Sequence, residues 1–321
     1  MRYLAAAAAL FIGPAAFGSG DHHMHIYSPA GAAVWQAMCD VMSGGCGEYE
    51  LPEAGKLAAD DAVRVLDEAG LQKGAILSLA YFYGYPRLAA SEFDDHAYVR
   101  GENEYVRQEV AKYPDRLVGF FSFNPLADYA VDEARYWGRQ GELAGLKLHL
   151  TNSGFDFGDP EHMRRLLAVL EVTNGYSMPV VIHMRPGGSD YGYDHAAQFI
   201  TQIASRLPST DWYLAHMAGW GGYDAGTDGA IQAFLDAFAN GSLDRSRVWF
   251  DLAAVVSDDL PASALTMLRG KIDRIGIDRI VFGSDWDEVE PASYLDSLKT
   301  HLRLSEAEWQ KLVDNQAPFF R

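Results

Sequence analysis

The residues with the clearest chemical potential are two histidines separated by a single residue, His23 and His25. Residues two apart on a β-strand point to the same side, so both imidazoles can reach one metal ion. A His-x-His pair alone is more often incidental than metal-binding, but His183, His216 and Asp285 lie at the ends of other short apolar runs. Imidazole nitrogens supplemented by a carboxylate suit zinc or, less selectively, manganese, iron or cobalt. The pattern therefore predicts a divalent metal site.

The segments that must position these residues alternate between short β-rich runs and helical patterns, which is typical of parallel βα units. Eight strands are predicted, at residues 22–26, 74–79, 117–123, 145–150, 180–183, 212–216, 248–252 and 279–283. Helical spacing of apolar residues lies between them, as in residues 60–69 and 159–172. Eight strand–helix units are the number that closes a barrel. The predicted fold is α/β, a single-domain (β/α)8 TIM barrel over residues 21–321.

The placement of polar residues favours this barrel over an open, doubly wound sheet, which would show the same alternation. Catalytic groups of such barrels cluster at the carboxyl ends of the strands. Lys147 and His149 end the fourth predicted strand, and Asp251 lies at the end of the seventh. Asp251 is expected either to orient a ligand histidine or to cap its strand. His22 points away from its neighbours by alternation and is expected to be structural.

Several motifs, in order along the chain, resemble those of the amidohydrolase-related family. They are DHHMH (21–25), GLKLH (145–149), the strand-end His183, LAHMAGW (214–220) and FGSDWD (282–287), and NQAPFF (315–320) is similar to the closing helix of that family. The resemblance covers residues 21–321. It implies one divalent ion, with zinc favoured, held by His23, His25, His183 and Asp285, and a catalytic role for His216. A binuclear relative would instead use a carboxylated lysine at the position of Lys147.

The resemblance implies two reactions that the motifs do not separate. The favoured one, on the resemblance of FGSDW (282–286) alone, is hydrolysis of an ester, lactone or amide bond in a small carboxylated molecule. A metal of this type lowers the pKa of bound water from about 15.7 to about 7, which makes hydroxide available at neutral pH. Asp285 would then move the proton to the leaving group, and His216 would orient the water or stabilise the oxyanion. The alternative is non-oxidative decarboxylation of an aromatic or unsaturated acid. A barrel that only binds a ligand ranks last, because no expected ligand residue is missing.

Residues near the strand ends are expected to shape the pocket. Arg185 follows His183 by two and is predicted to clamp a substrate carboxylate together with Lys147, although pairing with a loop acid is an equal alternative. Trp286 is predicted to contact the substrate. The longest connection, residues 28–57, is expected to determine specificity, because long βα loops usually line the pocket.

Composition narrows the classes of partner. The chain has 321 residues, 26 Lys and Arg against 44 Asp and Glu, and a formal charge of −18, so binding to nucleic acid is not expected. A small-molecule substrate is expected, and a homodimer is the default assembly.

The first twenty residues have a basic start, an Ala-rich apolar stretch and small residues, the layout of a signal peptide for export to the periplasm or beyond. The stretch is too short and too interrupted for stable membrane insertion. If it instead leads directly into the first strand, the protein is cytoplasmic. Cys39 and Cys46 are the only cysteines, and in an exported chain they would form a disulfide closing a small loop, with reduced thiols as the alternative.

Overall fold

Eight parallel β-strands pair in the order of the chain and form a nearly closed barrel, which confirms the predicted (β/α)8 fold. The computed structural model describes residues 19–41, 55–88, 93, 96–188 and 190–320. The strands are β1 (Gly20–Met24), β2 (Lys73–Leu77), β3 (Leu117–Ser122), β4 (Gly145–His149), β5 (Val180–His183), β6 (Trp212–Leu214), β7 (Val248–Asp251) and β8 (Ile280–Val281). Nearly every strand residue is buried, as expected for parallel strands covered by helices on the outside.

The helices surround the barrel in the predicted alternation. They are α1 (Pro29–Val41), α2 (Ala59–Glu68), α3 (His96–Val110), α4 (Ala130–Gln140), α5 (Pro160–Gly175), α6 (Tyr193–Gln202), α7 (Ala225–Asn240), α8 (Ala262–Ile275), α9 (Pro291–His301) and α10 (Glu306–Asp314). Helix α5 begins as its sequence predicts, because the Asp159 side chain accepts a hydrogen bond from Glu161 N and Pro160 occupies the first helical position. Helix α1 was not predicted and lies inside the connection expected to be a long loop.

The barrel closes through the backbone that follows β8. His22 N donates to the carbonyl of Phe282 at 2.9 Å, and Asp285 N donates to the carbonyl of His23 at the same distance. Met24 and Trp286 form a parallel bridge. These contacts set residues 282–286 beside β1, so the closure of the barrel itself brings Asp285 next to His23 and His25.

The C-terminal residues pack against the opposite end of the barrel, where the strands begin. Helix α10 ends at Asp314, and Pro318–Phe320 form a single 3-10 turn rather than the closing helix expected from the NQAPFF motif. The ring of Phe320 lies 4.7 Å from the ring of His22, and Ala317 N donates to His22 Nε2 at 3.0 Å. His22 Nδ1 in turn donates to the carbonyl of Phe282. His22 is therefore a structural residue that ties the chain's end to β1.

We expect Phe320→Ala to lower the free energy of unfolding by about 3–4 kcal/mol, because the ring is 2% exposed and its removal leaves a cavity. Urea unfolding followed by circular dichroism measures this change. Met267→Ala, at an apolar residue that is 42% exposed, is the control and is expected to change stability by about 0.5 kcal/mol or less. A loss below about 1 kcal/mol for Phe320→Ala would contradict a stabilising role of this turn.

The segments predicted at the N-terminus are only partly described. Residues 1–18 and Cys46 lie outside the described residues, and Cys39 lies in α1. Ser19 and Gly20 belong to the barrel: the Ser19 carbonyl accepts hydrogen bonds from Gln72 N and Lys73 N, and Gly20 begins β1. Within the described part of the chain, no helix is long and apolar enough to cross a membrane.

Candidate metal centre

His23 and His25 present the same ring nitrogen to one point at the mouth of the barrel. His23 Nδ1 donates to Asp251 Oδ2 at 2.9 Å, and His25 Nδ1 donates to the carbonyl of Leu77 at 2.7 Å. A neutral imidazole that donates from Nδ1 keeps its lone pair on Nε2. The two Nε2 atoms lie 3.2 Å and 3.3 Å from Asp285 Oδ1. Three ligand atoms of the kinds that bind divalent metals therefore converge.

Asp285 reaches this point through an unusual backbone conformation, with a φ of 71° in the left-handed region that non-glycine residues rarely adopt. Its side chain is buried, which by itself raises the pKa of the carboxyl group. The rings of His23, His216 and His25 outweigh this effect and hold the pKa of Asp285 well below its ordinary value. Asp285 is therefore an ionised carboxylate at the centre of a histidine cluster.

His216 belongs to a left-handed turn after β6 and not to the strand itself, which ends two residues earlier than predicted. His216, Met217 and Ala218 all have positive φ angles, of 53°, 56° and 63°. The ring donates from Nδ1 to the carbonyl of Ala253 and lies 4.9 Å from the ring of His23. Among the described residues, His23, His216 and Asp285 form a group whose ligand atoms all lie within 4.8 Å of one another and could hold a metal ion.

His183 lies next to this group at the end of β5. Its ring is 5.1 Å from the ring of His216 and stacks on His149 with 3.9 Å between the ring centres. The stack follows from the strand register, which pairs His149 directly with His183. His183 Nδ1 is buried without a hydrogen-bond partner. The predicted ligands thus gather at one end of the barrel, with His23, His25 and Asp285 in direct contact and His183 adjoining them through His216.

Lys147 is buried among these side chains, with 1% of its surface exposed. Its ammonium group donates to His23 Nε2 at 3.0 Å, which agrees with a lone pair on that nitrogen. Burial lowers the pKa of Lys147 to about 8, although Asp285 and Asp251 oppose this change by stabilising the positive charge. The same surroundings lower the pKa of His23 to about 3, chiefly through burial and then through Lys147. His23 is therefore neutral, as a metal ligand must be.

Asp251 bonds to three groups of the site, which bears on the two alternative roles that the sequence predicts for it. One carboxylate oxygen accepts from His23 Nδ1, and the other accepts from His216 N at 2.7 Å and Ala253 N at 3.1 Å. Burial raises its pKa, but the contacts with His23 and His216 bring it below the ordinary value. Asp251 thus both orients the ring of His23 and caps the backbone after β6 and β7.

The remaining predicted pocket residues have other partners. Arg185 is 4% exposed, and its Nη1 donates to Asp224 Oδ2 at 2.8 Å, which is the loop-acid alternative. The guanidinium group also lies 4.1 Å from the ring centre of Trp220, and its Nε has no partner. Trp286 is 2% exposed, and its carbonyl accepts from His25 N in the closure of the barrel.

Tyr81 borders the site, although the sequence predicts neither a ligand role nor a catalytic role for it. It follows β2, is 3% exposed, and its ring lies 4.9 Å from the ring of His149. Burial, followed by the charges of Asp285 and Glu288, raises the pKa of Tyr81 well above its ordinary value. Its hydroxyl group therefore stays protonated. The only signal in the sequence was its position after a predicted strand, which it shares with many packing aromatics.

The donor set fits a divalent metal ion. Three imidazoles have Nδ1 bonded to a carbonyl or carboxylate oxygen, and two of them, His23 and His25, place Nε2 within 3.3 Å of the ionised Asp285 carboxylate. Such partners on the second ring nitrogen are the usual support of metal-binding histidines. The mixture of nitrogen and oxygen donors suits zinc and also manganese, iron or cobalt.

Comparisons with known proteins agree with this architecture. The family profile described as Amidohydrolase matches residues 21–313. The fold is similar to that of 5-carboxyvanillate decarboxylase from Sphingomonas paucimobilis, with a TM-score of 0.64, 16% identity and coverage of 92% of this chain and 96% of that chain. No curated protein sequence matches the chain significantly.

Two further solved structures share the fold at 16% identity. Dihydroxybenzoic acid decarboxylase from Polaromonas sp. JS666, solved with manganese and the inhibitor 2-nitroresorcinol, has a TM-score of 0.62 and coverage of 95% of this chain and 97% of that chain. A probable 2-pyrone-4,6-dicarboxylic acid hydrolase from Acinetobacter baumannii has a TM-score of 0.57 and coverage of 92% and 96%. Since the family profile spans nearly the whole barrel, the chain belongs to the amidohydrolase family and is an enzyme of that superfamily.

Proposed function

We propose that the protein is a metal-dependent, non-oxidative decarboxylase of a small aromatic or unsaturated carboxylic acid. The observation that carries the proposal is the buried Lys147 ammonium group, which lies against the histidine–carboxylate cluster and away from solvent. A buried ammonium group can form a strong charge-assisted hydrogen bond with a carboxylate group. Two of the three similar structures described above are decarboxylases of aromatic acids, which supports this reaction over the hydrolysis favoured by the sequence.

His23, His25, His183 and Asp285 would hold the metal ion. A divalent ion held there would supply positive charge that attracts an anionic substrate. Zinc remains the expected ion from the donor set, and the manganese in the Polaromonas decarboxylase makes manganese the first alternative to test. Both ions accept the same nitrogen and oxygen ligands.

The side chains of the protein bind the substrate and supply the proton. Lys147 loses His23 Nε2 as an acceptor once that nitrogen serves as a ligand, so its ammonium group is free to bind the substrate carboxylate. Burial of this carboxylate excludes water and favours its conversion to neutral CO2, because the charge leaves the desolvated group. His216 takes up a proton from solvent on Nε2 and delivers it to the carbon that bears the carboxylate. The bond between this carbon and the carboxyl carbon then breaks, CO2 leaves, and the electron pair of the bond returns to the conjugated system of the substrate.

Arg185 is assigned to the outer part of the pocket. Its Nη1 is held by Asp224 and its plane rests against Trp220, while Nε has no partner. A buried guanidinium with a free N–H group gains most from an anionic or carbonyl oxygen. We assign this N–H group to a polar substituent of the substrate that lies away from the reacting carboxylate, and Trp286 to the wall beside it.

Hydrolysis is the second candidate, because Asp285 is an ionised carboxylate beside three imidazoles and can accept a proton from water. The similarity to the Acinetobacter hydrolase also favours hydrolysis. In that case His216 would stabilise the oxyanion, and the products would be an acid and an alcohol or amine without CO2.

The two candidates are separated by one assay on the purified protein. We expect chelation to abolish activity, and zinc or manganese to restore it, on a panel of hydroxylated aromatic acids scored for CO2 release. Lactones and esters of similar size are scored in parallel for release of acid. His301→Asn, which removes a surface histidine bonded to Asp258, is the control and should retain full activity. Release of acid from lactones without CO2 from any carboxylic acid would contradict the proposal, as would turnover that persists after complete removal of metal.

A further inference from the structure

We infer that His149 is a fixed hydrogen-bond donor to an oxygen atom of the substrate and is not a ligand of the metal ion. This inference rests on the proposed function only for the identity of the substrate. The residue lies at the end of β4, beside the metal centre, and has no role in the ligand set described above. Its assignment follows from the hydrogen bonds that fix the position of its single ring proton.

The histidines at this end of the barrel divide into three groups by what their Nδ1 atoms do, and the Nδ1 of His183 has no hydrogen-bond partner. Those of His23, His25 and His216 donate a proton to a carbonyl or carboxylate oxygen. The Nδ1 of His149 instead accepts a hydrogen bond from the backbone N–H group of Asn152 at 3.2 Å. A neutral imidazole has one proton, so an acceptor at Nδ1 leaves the proton on Nε2.

The ring of His149 is held firmly in this orientation. It stacks on His183 with an angle of 11° between the ring planes, and Tyr81 packs against it. The backbone is fixed as well, since the His149 carbonyl accepts from Ser153 N at 3.0 Å and from Ser153 Oγ at 2.8 Å. The turn that supplies the Asn152 N–H group is therefore anchored to the same residue whose tautomer it selects.

His149 is also the most exposed histidine of this cluster. The rings of His23, His25, His183 and His216 belong to buried residues, whereas His149 is partly exposed. Because its Nδ1 accepts a hydrogen bond from Asn152 N, the ring is neutral and carries its proton on Nε2. An Nε2–H group cannot bind a metal ion through a lone pair, but it can donate to an oxygen.

Such a donor has a clear use in decarboxylation. As CO2 leaves the protonated carbon, the electron pair of the broken bond returns to the conjugated system, and negative charge develops on a conjugated oxygen, such as that of a ring hydroxyl or carbonyl group. A neutral imidazole in a preorganised position stabilises this developing charge without needing to lose its own proton. The geometry thus points to a substrate with an oxygen substituent conjugated to the carbon that loses CO2.

The tautomer is tested directly by nitrogen NMR of the full chain containing isotope-labelled histidine, without metal. The His149 signals are identified by their loss in His149→Gln. We expect them to show a proton on Nε2 and none on Nδ1, with the reverse pattern for His23, His25 and His216. A proton on Nδ1 of His149 would overturn the inference. This measurement does not depend on which reaction the enzyme catalyses.

The role is tested by two variants of the same residue. Glutamine places an amide N–H group near the position of Nε2, whereas phenylalanine keeps the stacked ring and removes the donor. We expect His149→Phe to lower kcat by about 10²-fold or more, His149→Gln to stay within about tenfold of the wild type, and both to retain the metal content. Loss of metal in both variants would identify His149 as a ligand, and equal loss of kcat in both would exclude a donor role. If decarboxylation itself is not found, the NMR pattern and the metal content still decide the inference.

Discussion

His216→Asn is expected to lower kcat by about 10³-fold while leaving the metal content of the protein unchanged. The Nδ1–H group of His216 is bonded to the carbonyl of Ala253, which leaves Nε2 to take up a proton from solvent and pass it to the substrate carbon. Asparagine occupies a similar space near the backbone but cannot exchange a proton at neutral pH. Steady-state kinetics on a turned-over substrate, together with metal analysis of the purified variant, measures both quantities.

The outcome also decides between two assignments of this side chain. The grouping of His216 with His23 and Asp285 would equally allow it to be a metal ligand in place of His183. In that case the variant would lose metal as well as turnover, and His183→Asn would retain its metal. His301→Asn is the matched control, because it makes the same substitution at a surface histidine with an aspartate partner. Unchanged kcat in His216→Asn would remove it from the mechanism.

The fold was predictable because a parallel barrel requires a regular pattern of apolar and polar residues in its sequence. Strands covered by helices on the outside are short apolar runs, and the polar residues that interrupt them fall at the carboxyl ends where a site must lie. That rule alone predicts that His23, His183 and Asp285 lie in one region of the barrel. The start of α5 followed from local chemistry, with Asp159 as the N-cap and Pro160 after it.

The backbone conformations that direct the side chains of His216 and Asp285 into the site were not predictable. His216, Met217 and Ala218 all have left-handed conformations, and Asp285 does too, although none of them is glycine. Local preference disfavours these conformations, so they exist only because the surrounding fold imposes them. The predicted β6 therefore runs through His216, whereas the strand ends at Leu214 and His216 belongs to the turn that follows.

The partners of the site residues were unpredictable for a different reason, which is their distance along the chain. Arg185 bonds to Asp224, 39 residues away, and His23 bonds to Asp251, 228 residues away. The tautomer of His149 depends on a backbone N–H group whose direction only the folded turn determines. Residue types and spacing can nominate such side chains for a site, but the roles follow from hydrogen bonds that form only after folding.

Asp251→Asn is expected to weaken metal binding by about 10–100-fold and to lower kcat by about 10³-fold, with little effect on the fold. One oxygen of Asp251 accepts from both His216 N and Ala253 N, and asparagine can retain these bonds with its single carbonyl oxygen. Its amide group must then face His23 Nδ1. Because an amide N–H donates, His23 has to become the acceptor at Nδ1 and carry its proton on Nε2.

This change of tautomer removes the lone pair that His23 needs as a ligand, although no ligand atom has been deleted. Metal titration measures the affinity, thermal unfolding checks the fold, and nitrogen NMR of labelled histidine detects the proton on Nε2 of His23. Asp258→Asn is the matched control, since it alters a surface aspartate bonded to His301 and should change none of these quantities. Wild-type metal affinity in Asp251→Asn, with the His23 proton still on Nδ1, would show that Asp251 does not orient this ligand. Weak binding with the His23 proton on Nε2 would instead establish that metal affinity depends on the hydrogen bonds that orient the ligands as well as on the ligands themselves.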